Sequence, residues 1–150
     1  MILQTASEGI TFTKELENNS SSFYTSLAQR YPKDADIINS FVREDKKNIA
    51  LIERTYFGVI SDAIEGCFAF SIDPSNYTFA ITLPDGASYP EILNQAIQME
   101  EKIVKFYLDA ANQSRNLMAD IPRVFTQVWL NDILKMQIFF ILSSEKIRKT

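Results

Sequence analysis

Histidine is absent from the 150-residue chain, and cysteine occurs once, at Cys67. Without imidazole there is no Ser-His-Asp triad, no histidine-ligated zinc or haem and no imidazole general base. A single thiol forms neither an intrachain disulfide nor a cysteine-rich zinc or iron–sulfur framework, so a reducing cytoplasm is the expected compartment. Cys67 itself reads as a small apolar filler. The 4 glycines and 5 prolines are too few for a disordered or fibrous chain. Long hydrophobic runs are missing too: the densest stops after five residues, Ile138 to Leu142, against roughly 18 for a membrane span. The N-terminus lacks the basic-then-apolar order of a secretory signal. No membrane partner is expected. Positive charge is sparse, with a formal net charge of -4. Arg43, Lys46, Lys47 and Arg54 are interleaved with Glu44, Asp45 and Glu53 rather than gathered into a stripe for nucleic acid, and outside Asp45 the 43–47 cluster reads as a solvated helix face.

What is present is helical periodicity. The pattern predicts one domain over 1–150: a helical hairpin over 7–68, an extended crossover over 71–88 and a second hairpin over 89–147. Tyr31-Pro32 stops helix 1, because proline disfavours the helical state of the residue before it. Tyr77, Phe79, Ile81 and Leu83 alternate with polar or small residues at a period of two, bracketed by turn signals around Pro74 and Pro84-Asp85-Gly86. Ser88 with Glu91 three residues on predicts the start of helix 3, and Pro122 lies in the first turn of helix 4. Short, long, short connections fit an all-α four-helix bundle with one long crossover.

Steps of three and four trace the stripe each helix turns inward. Helix 1 gives Ile10, Thr13, Glu17, Ser20, Tyr24 and Leu27; helix 2 gives Ile38, Phe41, Asp45, Asn48 and Ile52. Helix 3 gives Leu93, Ala96, Glu100, Ile103, Tyr107 and Ala110; helix 4 gives Ile121, Phe125, Val128, Asp132, Lys135, Phe139 and Leu142. Each stripe is apolar at its ends and carries a carboxylate in the middle. Burying an unpaired carboxylate costs several kcal/mol, about enough that four at one depth need a cation or shared protons. The halves also repeat: Leu16-Glu17, Phe23-Tyr24 and Ala28 match Met99-Glu100, Phe106-Tyr107 and Ala111, and Asp45 and Asn48 match Asp132 and Lys135.

A Glu from helices 1 and 3 with Glu-x-x-His from helices 2 and 4 is the metal set of ferritin-like di-iron carboxylate proteins. The chain resembles the rubrerythrin-like branch of that superfamily across all four helices, with Glu-x6-Tyr at Glu17 to Tyr24 and at Glu100 to Tyr107. The resemblance implies a ferritin-like fold and, in the family, iron, oxygen or peroxide chemistry. The motif is degenerate here. Asp45-Lys46-Lys47-Asn48 and Asp132-Ile133-Leu134-Lys135 stand where Glu-x-x-His is expected, and each Asp is about 1.5 Å shorter than Glu.

Glu17, Asp45, Asn48, Glu100 and Asp132 are therefore the candidate metal residues, with no catalytic residue assigned. The Asn48 oxygen suits one hard divalent ion better than a redox iron pair. Lys135, which cannot ligate while protonated, is expected as an internal cation in place of a metal, paired with Asp132 and with Glu100 or Glu17. Tyr24 and Tyr107 are expected to hydrogen-bond the buried carboxylates from behind. The expected function is that of a non-catalytic structural or binding member, holding no cofactor or one divalent ion. The alternative is a rubrerythrin-like iron or peroxide oxidoreductase with an all-carboxylate di-metal site. Helix 4 is also apolar beyond its stripe, along Trp129, Ile133, Met136 and Phe140 and along Leu130, Leu134, Ile138 and Ile141. The crossover is expected to cover one of these sides and a second copy of the chain another, giving a homodimer through helix 4.

Overall fold

The computed structural model describes residues 1–59, 68–114 and 120–149. Cys67 lies outside them. Four helices form the bundle: α1 (Ala6–Arg30), α2 (Ala35–Val59), α3 (Tyr89–Gln113) and α4 (Asp120–Lys149). α1 packs along α2 and α3 along α4, and the two hairpins meet chiefly where α2 runs beside α4. None of the described helices is long and apolar enough to cross a membrane.

Local chemistry explains the helix starts. Thr5 caps α1 in a reciprocal box with Glu8, and Ser88 accepts from the Glu91 backbone N–H at 3.3 Å to cap α3. Pro32 opens a short 3-10 turn at the α1–α2 connection, where the periodicity breaks.

Two expectations about the crossover need correction. Helix 2 was expected to reach residue 68; α2 is described as far as Val59, and Phe68 itself belongs to a strand, β2 (Phe68–Ile72). β2 pairs antiparallel with β1 (Leu3–Thr5), matching Leu3 to Ile72 and Thr5 to Phe68. The alternating segment at 77–83 forms no strand. It follows a 3-10 turn at Pro74–Tyr77 and is fastened by side chains, because a lone segment has no ladder to satisfy its backbone. Gln95 Nε2 donates to the carbonyls of Ala80 and Thr82 at 3.2 and 3.3 Å, and Arg30 donates to that of Pro84 at 2.8 Å. Tyr77 donates to Asp109 at 2.5 Å. These bonds tie the crossover to α1 and α3.

The small sheet packs on α1, where Gly9 makes room. A Cβ on Gly9 would sit 2.8 Å from the Phe70 ring, closer than packed atoms tolerate. Phe106 then anchors an apolar layer through edge-on contacts with Phe12, Tyr77 and Phe125, at centroid distances of 5.0, 5.4 and 6.4 Å. The polar layer lies next to this aromatic one, since Tyr107 follows Phe106 in α3 and is fully buried.

Candidate functional site

Every described side chain of the four inward stripes is buried, including Glu17, Asp45, Glu100, Asp132, Asn48 and Lys135. Phe139 and Leu142, the last two positions of the α4 stripe, are not described. Helical spacing thus brings one carboxyl group from each helix to a common depth, walled by apolar turns above and below.

Lys135 holds one side of this layer. Its Nζ is 2.5 Å from Asp45 Oδ1, 3.2 Å from Glu100 Oε1 and 3.3 Å from Asp132 Oδ1, and it lies 5.2 Å from the centre of the Tyr24 ring. Pairing with Asp132 and Glu100 agrees with the spacing. Its nearest partner, Asp45 on α2, was not foreseen from the sequence. Asp132 gains electrostatic contact without a directed hydrogen bond, so both of its oxygens lack a donor.

The tyrosines cross between hairpins. Tyr24 of α1 donates to Glu100 of α3, and Tyr107 of α3 donates to Glu17 of α1. Each glutamate is therefore held by the hydroxyl carried one Glu-x6-Tyr repeat along the other hairpin's odd helix. Among the described residues no ammonium pairs with Glu17. Asn48 Nδ2 approaches Glu17 Oε1 at 3.4 Å, so Asn48 meets the site as a donor, with its oxygen turned outward to Asn131 Nδ2 at 3.1 Å. Glu17 Oε2 and Glu100 Oε2 are buried without a hydrogen-bond partner.

Four buried carboxyl groups face one ammonium, and protonation must absorb the imbalance when no further cation is present. Burial raises Glu17 well above its ordinary range, and the neighbouring Asp132 and Asp45 add to the rise. Burial likewise lifts Asp132 well up, against the pull of Lys135. Glu100 is raised by burial less freely, because Lys135 and the Tyr24 hydroxyl favour its charged form. For Lys135 burial acts downward, but Glu100, Asp45 and Asp132 outweigh it and hold the ammonium well above its usual value. Tyr24 and Tyr107 are pushed well up by burial and by the glutamates they bond, so they remain donors.

Glu17, Asp45 and Asp132 each bring a carboxylate oxygen within 4.8 Å of the others, a buried triad that could hold a metal ion. Glu100 stands outside this triad, joined to the layer through Lys135 and Tyr24. Three contributors lie off the inward stripes and were not foreseen from the sequence: Asn131, Gln127, which donates to Asn131 at 3.2 Å, and Ser21, which donates to Asp45 Oδ2 at 3.4 Å. All three lie beside an inward position rather than on it, and their only sequence signal is a polar residue next to the stripe.

No protein-family model, no curated protein and no solved structure matches this chain.

Proposed function

We propose that the chain is a ferritin-like bundle whose di-metal site has degenerated into a non-catalytic ion network. One cation is the chain's own Lys135, and the Glu17, Asp45 and Asp132 triad takes a single hard divalent ion. The observation that carries this reading is the position of Lys135 Nζ, within 3.3 Å of Asp45, Glu100 and Asp132. An ammonium there neutralises the Glu100 side as a metal would and leaves the Glu17 side without one.

The residues do not fit a pair of irons. The donor set has no imidazole, its Asp45 and Asp132 carboxylates are one methylene short, and a lysine stem crosses the Glu100 side. They do fit one oxygen-seeking ion, since the triad is all carboxylate and Glu17 Oε2 and Asp132 Oδ2 are fully buried without donors. An oxidoreductase would need both positions.

The same reading takes the chain as a homodimer through α4. Its support is the exposure of Leu130 (44%), Leu134 (59%), Ile138 (37%) and Ile141 (60%) along one helix face, while the crossover is fastened to α1 and α3. The ring contact of β2 with α4, Phe70 to Phe125, is on the buried side.

Metal loading tests the proposal. Equilibrium dialysis against Mn2+ is expected to give one ion per chain. Protein loaded anaerobically with ferrous iron and then exposed to air is expected to show no oxo-bridged absorption band. Two irons retained per chain, with that band, would overturn it.

A further inference from the structure

Three side-chain amides form a line from the surface to the buried triad. Gln127 Nε2 on the exposed face of α4 donates to Asn131 Oδ1 at 3.2 Å. Asn131 Nδ2 donates to Asn48 Oδ1 at 3.1 Å, and Asn48 Nδ2 reaches Glu17 Oε1 at 3.4 Å. Every N–H in the line points inward. Its inner end sets this direction: Glu17 Oε1 is an acceptor, already taking the Tyr107 hydroxyl, so Asn48 must offer it a nitrogen. The middle and inner amides, Asn131 and Asn48, line a groove of about 290 Å3 between α2 and α4, together with Glu44, Lys47 and Arg54 among others.

An amide carries a donor and an acceptor on opposite arms. Turning all three amides over preserves both amide-to-amide bonds and exchanges what the line presents at its two ends: at the site a carbonyl oxygen replaces an N–H, and at the surface an N–H replaces a carbonyl oxygen. Reversal is therefore cheap inside the line, and the occupant of the Glu17 side decides it. A carboxyl group alone favours the nitrogen. A hard cation favours the oxygen, a ligand type such ions accept.

We infer that Asn131 is a positioning residue for the cation site, the pivot of an amide relay whose direction decides whether Asn48 faces Glu17 as a donor or faces a bound divalent ion as a ligand. This rests on the single-cation reading above. Gln127 reports the direction at the surface, and Asn48 delivers it at the site. Asn131 couples them because it is the member bonded on both arms to amides.

The direction is open to a substitution that offers only acceptors. In Asn131→Asp the new carboxylate takes the Asn48 N–H and turns its oxygen inward. In metal-free protein, nuclear Overhauser contacts of the Asn48 amide protons are expected on the Glu17 side in the parent and on the residue-131 side in the variant. Mn2+ affinity is expected to rise about ten-fold, in the range that residues behind metal ligands command. An added negative charge also attracts a cation, so the comparison is repeated in an Asn48→Leu background, where the relay has no oxygen to deliver. There the gain is expected to vanish. An equal gain in both backgrounds, or Asn48 protons that face residue 131 already in the parent, would overturn the relay. Absence of Mn2+ binding in the parent and in every variant would bring down the single-cation reading, and this inference with it.

Discussion

Lys135 Nζ and Asp45 Oδ1 are 2.5 Å apart, and both residues are withdrawn from solvent. The pair joins α4 to α2, the seam along which the two hairpins chiefly meet. A buried ion pair of this kind repays its desolvation only when further bonds satisfy its members. Here they do so unevenly: Lys135 has three carboxylates and the face of Tyr24, while Asp132 has the ammonium alone. The layer is thus short of positive charge, which makes its stability sensitive to lysine, protons and metal.

Removal of the lysine should be costly. Lys135→Ala leaves Asp45, Glu100 and Asp132 without their shared cation, and the expected loss is about 3 kcal/mol in urea unfolding of the metal-free protein. Adding Mn2+ should restore part of that loss, because the vacated space adjoins three carboxylates. A variant that unfolds with the parent would mean that the ammonium carries no net weight in the layer.

The pH dependence follows from the directions of the shifts. Glu17 and Asp132 are raised above their ordinary values of 4.5 and 3.8, so above those values the folded chain binds more protons than the unfolded one. Stability then falls as pH rises from about 4 through the raised folded values. Lys135 is also raised, so its contribution stays intact below 10.5 and fades only in stronger alkali. Glu8 and Asp73, lowered by hydrogen bonds at caps, contribute in the opposite sense and lose their effect only in acid. Thermal melts of metal-free protein are expected to show higher stability near pH 5 than at pH 8. A rising trend between those values would contradict the placement of protonated carboxyls in the core.

The two tyrosines should not be equivalent. Tyr107→Phe removes the hydroxyl from Glu17, whose other donor is the distant Asn48 amide at 3.4 Å. Tyr24→Phe removes it from Glu100, which keeps the Lys135 ammonium at 3.2 Å. Each change leaves a buried acceptor short of a donor, at a cost of about 1–3 kcal/mol. The Tyr107 variant is expected to lose more, as read by paired urea titrations. Equal losses would show that the ammonium does nothing extra for Glu100.

The polar layer was legible because charged residues at helical core spacing conflict with a water-free interior, and that conflict marks positions as well as composition. Glu17, Asp45, Glu100, Asp132 and Lys135 were all found this way, and all are buried. Contacts made from beside the stripe were not legible. Asn131 adjoins Asp132 and carries no periodic signal, yet it bonds Asn48 across the helix seam. The strands escaped for another reason: Leu3–Thr5 is too short for alternation, and Phe68–Ile72 extends an apolar pattern that suits a helix equally well. Alternation at 77–83 marked inward residues only in part: Tyr77 and Leu83 are buried while Ile81 is exposed, and Gln95 rather than a neighbouring strand holds that backbone.

The outer face of α4 yields the last prediction. Leu130, Leu134 and Ile138 recur every four residues, with Ile141 three further on, so their side chains form one continuous ridge. Trp129 and Met136, on the adjacent face, are half-buried against the core and leave this ridge as the uncovered side. Exposed aliphatic surface is stabilised when a partner removes it from water, by about 25 cal/mol for each Å². In the proposed homodimer a second copy of the chain would supply a matching ridge about a two-fold axis. Sedimentation equilibrium is expected to give the mass of two chains. Leu134→Glu, which puts a charge on the most exposed residue in the middle of the ridge (59%), is expected to give the mass of one without lowering Mn2+ binding. A parent that sediments as one chain at every concentration would remove the dimer and leave the proposed cation site untouched, since Glu17, Asp45 and Asp132 meet within one chain.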